Sequence, residues 1–446
     1  MGNENIIQPR VLKGFRDYLP EEKIFRDRMI TVIKSVFESF GFVPIETPAL
    51  EYADILLGKY GSDAEKLIYR FRDNADRDVC LRYDLTVPLA RFIAQYRDLP
   101  IPFKRYQIAP VWRAEKPQKG RFREFYQCDA DIVGSQSIMS DFECIWVIYK
   151  ILVDLNIPEF VIKINNRQLL NCLMNQLKID SDKKIKDILR TIDKLPKIGM
   201  NEVKKIMATE NELDDKSISY IESFLTISGK NNSEILDKIA KIFPSDTIWI
   251  ENVNKLKKII ELSSISGIPQ QNIVIDISIA RGLDYYTGIV FETYIKKLSG
   301  VGSISSGGRF DTLIGLFTGE NIPAVGISIG LDRLYTALME LKTADTKIAT
   351  TDVMFINFTD ELIQALIPFI TELRNKGIKS EIYLDSNIKL DKQFKYANNK
   401  NIPFVVIYGP DEAVKNVVKI KDMVSGEQTE VGLTSFIQFI SEKLKK

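Results

Sequence analysis

At 446 residues the chain exceeds what one hydrophobic core holds, and at ~100–200 residues per domain it divides into about two to four domains. Its 45% hydrophobic and 27% charged residues are the composition of a soluble globular protein. A formal net charge of +1 excludes a global positive field, so any contact with nucleic acid must come from local Lys and Arg patches.

In chain order, Ile24, Met29, Ile33, Val36 and Phe37 recur at helical spacing and predict a helix over 21–40, ended by Gly41. From about 79 to 135 short alternating runs predict strands. One of them carries Asp84 and Thr86 on a single face and ends at Pro88. Between about 170 and 255 strand signals vanish. Lys183, Lys184, Lys186, Lys194, Lys197, Lys204 and Lys205 sit there among helix formers, which predicts a helical insertion within a larger β-rich domain.

The run 273–279 alternates Ile273, Ile275, Ile277 and Ile279 with Val274, Asp276 and Ser278, the clearest strand pattern in the chain. It is interrupted at 281–284 and returns over 286–295. Polar residues 342–350 read as a linker. Beyond them strands over 353–358, 378–383 and 403–408 alternate with helices through Leu362–Leu373, Leu390–Ala397 and Phe436–Leu444, which predicts a small α/β domain with a mainly parallel sheet.

The chain contains no histidine, which excludes a His base, nucleophile or metal ligand and leaves few groups of its own titrating near pH 6–7. Cys80, Cys128, Cys144 and Cys172 form no CxxC pair, so a zinc site is not expected and a reducing cytosol is the simplest compartment. The N-terminal MGNENIIQPR lacks an apolar signal core, and no run of apolar residues is long enough to cross a membrane.

The segment 111–131 reads as strand, tight loop and strand, with Lys116–Gly120 as the turn. Period two puts Phe125, Gln127, Asp129 and Asp131 on one face, with Arg113 and Glu115 sharing a face of the entering strand. Such a face is costly to bury unless it meets a ligand, although a solvent-exposed face carrying ion pairs fits the pattern equally. Asp84 and Thr86 offer acceptors to an ammonium group, or are simply surface residues.

These residues carry a resemblance. Arg113-x-Glu115 followed by Arg121 and Phe125 resembles motif 2 of class II aminoacyl-tRNA synthetases, and 120–134, GRFREFYQCDADIVG, is similar to the histidyl-tRNA synthetase family in particular. ARGLDYYTG at 280–288 resembles a signature of that family, AVGISIGLDRL at 324–334 resembles motif 3, and GFVPIETP at 41–48 motif 1. The resemblance runs from KGFRDYLPEE at 13–22 to LDKQFKYANNKNIPFVVIYG at 390–409.

The resemblance implies an α+β catalytic domain built on an antiparallel sheet, a helical insertion and a C-terminal α/β anticodon-binding domain. The boundaries are 1–169 and 256–341 for the two parts of the core, 170–255 for the insertion and 350–446 for the last domain. It implies a cytoplasmic homodimer that uses ATP and magnesium to join histidine to tRNA(His), the metal being carried by ATP rather than by protein side chains. Arg113 and Arg281 would act catalytically at the α-phosphate. Glu115 would meet the adenine amino group, Arg121 the γ-phosphate, Phe125 the adenine face, and Arg333 would grip ATP. Histidine would be held by Asp84, Leu85 and Thr86, by Arg113 and Arg281, and by Gln127, Asp131, Tyr285 and Tyr286. In that set Asp131 and Tyr286 lie on either side of the imidazole. Ala114 and Tyr126 stand where many bacterial relatives carry histidine, which leaves recognition of the tRNA acceptor end open.

Overall fold

The computed structural model of the chain describes residues 7–60, 65–279, 285–341, 349–386 and 388–444. By contact it divides into two units, Met1–Leu19 with Arg26–Ala344 and Pro20–Phe25 with Asp345–Lys446. The strands in chain order are β1 (Val43–Pro44), β2 (Leu50–Tyr52), β3 (Arg70–Arg72), β4 (Asp78–Leu81), β5 (Phe103–Trp112), β6 (Glu124–Val133), β7 (Phe160–Asn166) and β8 (Ile273–Ile275). They continue with β9 (Ile289–Ile295), β10 (Ser305–Arg309), β11 (Ala324–Gly330), β12 (Val353–Phe355), β13 (Ser380–Ile382), β14 (Phe404–Ile407), β15 (Val417–Asp422) and β16 (Gln428–Gly432).

The first unit is organised by an eight-stranded sheet of order β1-β5-β6-β11-β10-β9-β7-β8. Its central pairs are antiparallel, and the two edge strands β1 and β8 run parallel to their neighbours. Helix Ile138–Asp154 buries Phe142, Ile145, Ile148 and Ile151 as one apolar stripe, and its first turn is capped by Ser137, whose side chain accepts from the Met139 amide. A small sheet of order β2-β4-β3 stands beside the main one.

From Arg167 to Ile265 the described elements are all helical. Their starts are set by Asn166, Ser181, Asp214, Asn231 and Asp246, each of which accepts an amide hydrogen bond from the first turn. Trp249, buried against Phe224 and Phe243, centres this helical region.

Three sequence expectations are corrected. Asp84 and Thr86 are not on a strand: a helix runs from Thr86 to Gln95. Asp84 Oδ1 accepts from the Thr86 and Val87 amides, and Pro88 falls in the first turn, where its missing N–H costs nothing. The strand expected over 273–279 stops at Ile275, because Asp276 turns the chain by accepting from the Ser278 amide and hydroxyl. The returning strand begins at Ile289 rather than 286: the Thr287 amide donates to the Arg309 carbonyl at 2.7 Å and its hydroxyl meets Asp311.

The second unit carries β13-β12-β14-β15-β16. The first three are parallel, as expected, but β15 and β16 add an antiparallel hairpin, so the sheet is mixed. Helices Asp360–Asn375, Leu390–Asn399, Pro410–Lys415 and Phe436–Leu444 accompany it, with Leu366, Ile370, Leu373, Phe436 and Ile440 in its core. Most of the expected linker, 342–348, lies outside the described residues.

One buried carboxylate ties the N-terminal segment to the sheet. Asp332 opens helix Leu331–Glu340 and accepts from Arg26 Nη1 at 2.7 Å, from the Tyr18 hydroxyl at 2.6 Å, from Arg16 and from the Tyr126 amide of β6 at 2.8 Å. Burial alone would raise its pKa. The Arg26 charge, the Tyr18 and Tyr126 hydrogen bonds and the Arg16 charge outweigh that, and the carboxyl lies below its ordinary 3.8. Removing one partner leaves a buried guanidinium uncompensated, so Asp332→Ala should lower the unfolding free energy by about 3–5 kcal/mol at neutral pH. Because the folded-state pKa is depressed, that contribution is complete above 3.8 and is lost as pH falls through the folded value. Urea titrations at neutral pH and in acid should show a gap between wild type and variant that narrows in acid. A gap of the same size at both would remove Asp332 as the source.

Candidate active site

The face of β6 and its neighbours opens on a cavity of about 370 Å³, within the ~300–1,000 Å³ of small-molecule sites. Segments far apart in the chain line it: Asp84 and Thr86, Arg113 and Glu115, Gly120 to Phe122, Phe125 and Gln127, Tyr285 and Tyr286, Ser303 to Gly307, and Ser328 to Arg333. Asp193, at the end of the insertion helix Asp182–Asp193, also reaches it.

The deep end is acidic, and strand register explains why. Asp131 stands opposite Arg105 on β5 and Gly326 on β11, Asp129 opposite Gln107 and Ser328, and Gln127 opposite Ala109 and Gly330. Arg105 Nη2 lies 2.6 Å from Asp131 Oδ2, with both side chains buried, and also donates to the Leu85 carbonyl at 3.2 Å. Burial pushes Asp131 up to about 6 against the pull of Arg105. It pushes Asp129 up to about 8, where Arg105 and Ser328 lower it and Asp131 adds to the rise. These two carboxyls join the few groups that burial brings toward neutrality in a histidine-free chain.

Asp84 is held by the Tyr60 hydroxyl at 2.9 Å and by two amides, all on Oδ1, while Oδ2 is buried with no hydrogen-bond partner among the described residues. Burial raises its pKa, opposed by the Val87 amide, Arg113 and the Tyr60 hydroxyl. Gln127 donates to the Ser328 hydroxyl at 2.5 Å, and its carbonyl oxygen is likewise unpartnered. Tyr285 and Tyr286 pack edge-to-face at 5.1 Å. Burial, then Asp131 and Asp129, hold the Tyr286 hydroxyl well above the usual phenol range, so it stays a neutral donor.

The other end is basic. Arg113 donates through Nε to the Tyr83 carbonyl at 3.0 Å, and its guanidinium carbon lies over the rings of Tyr83 and Phe125, 4.3 and 5.1 Å from their centroids. No hydrogen bond among the described residues engages its two terminal nitrogens, which leaves a fork suited to two oxygens of a phosphate. Arg121 meets Glu115 at 3.4 Å, and Arg333 donates to the Ser303 carbonyl at 2.7 Å. Arg123 pins the intervening loop by donating to the Glu115 carbonyl at 3.1 Å.

Of the residues singled out from sequence, Asp84, Thr86, Arg113, Glu115, Arg121, Phe125, Gln127, Tyr285, Tyr286 and Arg333 line this one cavity. Leu85 and Asp131 do not. Leu85 is buried with Ala109 and Val111, and Asp131 sits behind the wall against Arg105. Arg281 lies outside the described residues. Sequence reasoning missed Arg105, Tyr60, Tyr83, Glu292 and Asp332. Arg105 was within reach: folding the two strands about the 116–120 loop sets it opposite Asp131.

With the geometry in place, comparison with known proteins is direct. A family model described as histidyl-tRNA synthetase matches residues 14–334, and one described as anticodon binding domain matches 352–443. A histidine–tRNA ligase of Clostridium tetani is 40% identical over 441 residues, covering 98% of this chain and 99% of its own length. One from Helicobacter pylori is 41% identical over 426 residues, 95% of this chain and 96% of the relative. The crystal structure of histidyl-tRNA synthetase from Nostoc sp. PCC 7120 superposes with a TM-score of 0.86 at 35% identity, covering 98% of this chain and all of that one.

The acidic end depends on a missing side chain. A Cβ on Gly326 would fall 1.8 Å from Asp131 Oδ1. Gly326→Ala should push Asp131 off Arg105 and cost about 3–5 kcal/mol of stability, the scale of breaking a buried pair. In an Asp131→Ala background the same substitution should cost far less, since the obstructing oxygen is gone. Equal costs in the two backgrounds, measured by denaturant unfolding, would place the clash elsewhere.

Proposed function

The chain belongs to the histidyl-tRNA synthetase family, and from that membership we propose how its cavity carries out the reaction. The chain is an ATP-dependent ligase that activates histidine and transfers the histidyl group to transfer RNA. The observation that carries the residue-level reading is the opposite charge of the two ends of the cavity, one formed by Asp84 over the buried carboxyls and one by Arg113, Arg121 and Arg333.

Histidine enters the acidic end. Its α-ammonium meets the unpartnered Oδ2 of Asp84 and the Thr86 hydroxyl, and its imidazole is received by Tyr286 and Gln127, with Asp131 acting from behind them. ATP enters the basic end. Arg113 takes the α-phosphate, Arg121 and Arg333 the outer phosphates, Phe125 stacks on the adenine and Glu115 accepts from its amino group. Arg281 keeps the role at the α-phosphate that its motif implies. Magnesium comes with the nucleotide, since this ion binds phosphate oxygens and keeps much of its water.

The histidine carboxylate is ionised at neutral pH, so the first step needs alignment and charge neutralisation rather than a base. Its oxygen attacks the α-phosphorus, the bond from that phosphorus to the bridging oxygen breaks, and pyrophosphate leaves with the electron pair. The 3′-terminal ribose hydroxyl of tRNA(His) then attacks the carbonyl carbon and AMP departs. The second unit contributes binding of the anticodon region, as its domain match suggests. The enzyme works as a cytoplasmic homodimer joined through the catalytic domain; no described helix is long and apolar enough to cross a membrane.

ATP–pyrophosphate exchange tests the reading. Among the twenty amino acids only histidine should support it. Arg113→Ala should lower the rate by ~10²–10³, the cost of one preorganised donor at developing charge, and Arg113→Lys should restore little because the fork is lost. Exchange driven by another amino acid, or near-normal exchange in Arg113→Ala, would reject it.

A further inference from the structure

Asp129 and Arg105, which the reaction scheme does not use, are buried near Asp131 and the cavity-lining Asp84. Asp84, Asp129 and Asp131 are all buried; Oδ2 of Asp84 and Oδ1 of Asp129 have no hydrogen-bond partner among the described residues, and Oδ2 of Asp131 has only the Arg105 ion pair. The cation against Asp131 and acting on Asp129 is Arg105, itself fully buried, with Nε and Nη1 unpartnered, while the cation acting on Asp84 is Arg113. Three carboxylates against the two guanidiniums of Arg105 and Arg113 would leave a buried excess of negative charge, which a low-dielectric interior relieves by keeping a proton on the cluster.

We propose that Arg105, Asp129, Asp131 and Asp84 form one charge-compensating cluster whose proton is displaced by the incoming substrate, so that histidine binding releases a proton from the protein, and that Arg105 is the positioning residue that sets when this happens. This rests on the reading of the cavity as the histidine site. The substrate brings an ammonium, and its ring brings N–H donors, to the acidic end. Positive charge beside a protonated carboxyl favours the ionised form. The proton that leaves goes to solvent.

The groups facing the cluster from other elements leave that excess in place. Arg113 acts on Asp84 while holding the Tyr83 carbonyl, and Arg82 acts on Asp129 while donating to the Thr47 and Pro110 carbonyls. From β9 Glu292 adds a further carboxyl, and Tyr285, Tyr286 and Tyr60 are phenols held neutral by burial. On helix Ile138–Asp154 the nearby Cys144 is a buried thiol, and Asp141 is closed by Arg309.

Linkage fixes the sign. A ligand that releases a proton binds more tightly as pH rises. Affinity should climb by up to about tenfold per pH unit through the range in which Asp131 and Asp129 titrate in the free protein, about 6 to about 8. Above that range both are already ionised and the rise should end, and in alkali affinity should fall as the substrate loses its ammonium proton.

The test is calorimetric titration of the full chain with L-histidine, and with the triazole analogue of histidine, whose ring takes up no proton near neutrality. Each is run in two buffers of unlike ionisation enthalpy. Heats for both ligands that shift with buffer in the sense of proton release support the proposal. Buffer-independent heats, or proton uptake with the analogue, overturn it and leave the assignment of the histidine site standing. No binding of histidine would overturn that assignment instead. Arg105 is tested separately: Arg105→Met should move the rise of affinity to higher pH and raise KM for histidine at neutral pH more than it lowers kcat, and Arg105→Lys should move the profile back. Equal loss of both constants at every pH would reduce Arg105 to a structural part.

Discussion

Burying Asp131 between Arg105 and Gly326 is the constraint around which the catalytic sheet is arranged. A carboxylate taken out of water costs several kcal/mol unless a charge partner meets it at close range. Here the partner comes from the neighbouring strand at 2.6 Å, and the room comes from a glycine on the other side. Both conditions are met only in one register, because a slip of a single residue would turn Arg105 to the opposite face. The pair thus fixes the alignment of β5, β6 and β11, and with it the positions of Gln127, Phe125 and Arg113 further along the same faces.

The cavity inherits its polarity from that alignment. Going along β6 from Asp131 toward Phe125, buried acid gives way to amide and then to an aromatic ring that lies beneath Arg113. The strands therefore separate ends of opposite charge by geometry alone. An amino acid and a nucleotide can approach one another with their like charges kept apart and their reacting groups together. Asp332 closes the arrangement from outside, since its bonds to Arg16, Tyr18 and Arg26 hold the N-terminal segment while its second oxygen takes the Tyr126 amide of the same strand.

Much of this was legible in the sequence where one residue type signals one structure. The helix starting at Pro20 and the final helix Phe436–Leu444 announce themselves through apolar spacing, and the helical stretch beyond Arg167 through helix formers without strand signals. Period two along 124–133 identified the face that lines the cavity. What stayed hidden depends on partners distant in sequence. Asp332 lies more than 300 residues from Arg16 and Arg26, and nothing local distinguishes it from an ordinary first-turn acid. Asp84 looked like a strand residue because Leu81 to Val87 alternates well enough, yet its capping of the Thr86 and Val87 amides overrides that weak pattern. The hairpin of β15 and β16 did carry a signal, with Val418 and Ile420 alternating before a Ser425-Gly426 turn, and was passed over among the charged residues around it.

The absence of histidine from the chain sharpens the meaning of any titration seen with the substrate bound. An imidazole loses positive charge as pH rises, while the buried carboxyls gain negative charge, so the two respond to opposite signs in their surroundings. Placed together, each stabilises the charged form of the other: ionised Asp131 raises the imidazole pKa, and a protonated imidazole lowers that of the carboxyl. The pair then titrates as a unit, with macroscopic steps that belong to neither group alone. If histidine binds as proposed, selection for an imidazole and control of its protonation follow from the same buried charge. A side chain of similar size without a polar edge would leave the Tyr286 hydroxyl and the Gln127 carbonyl unpaired, the kind of loss that separates substrates by ~10⁴–10⁵.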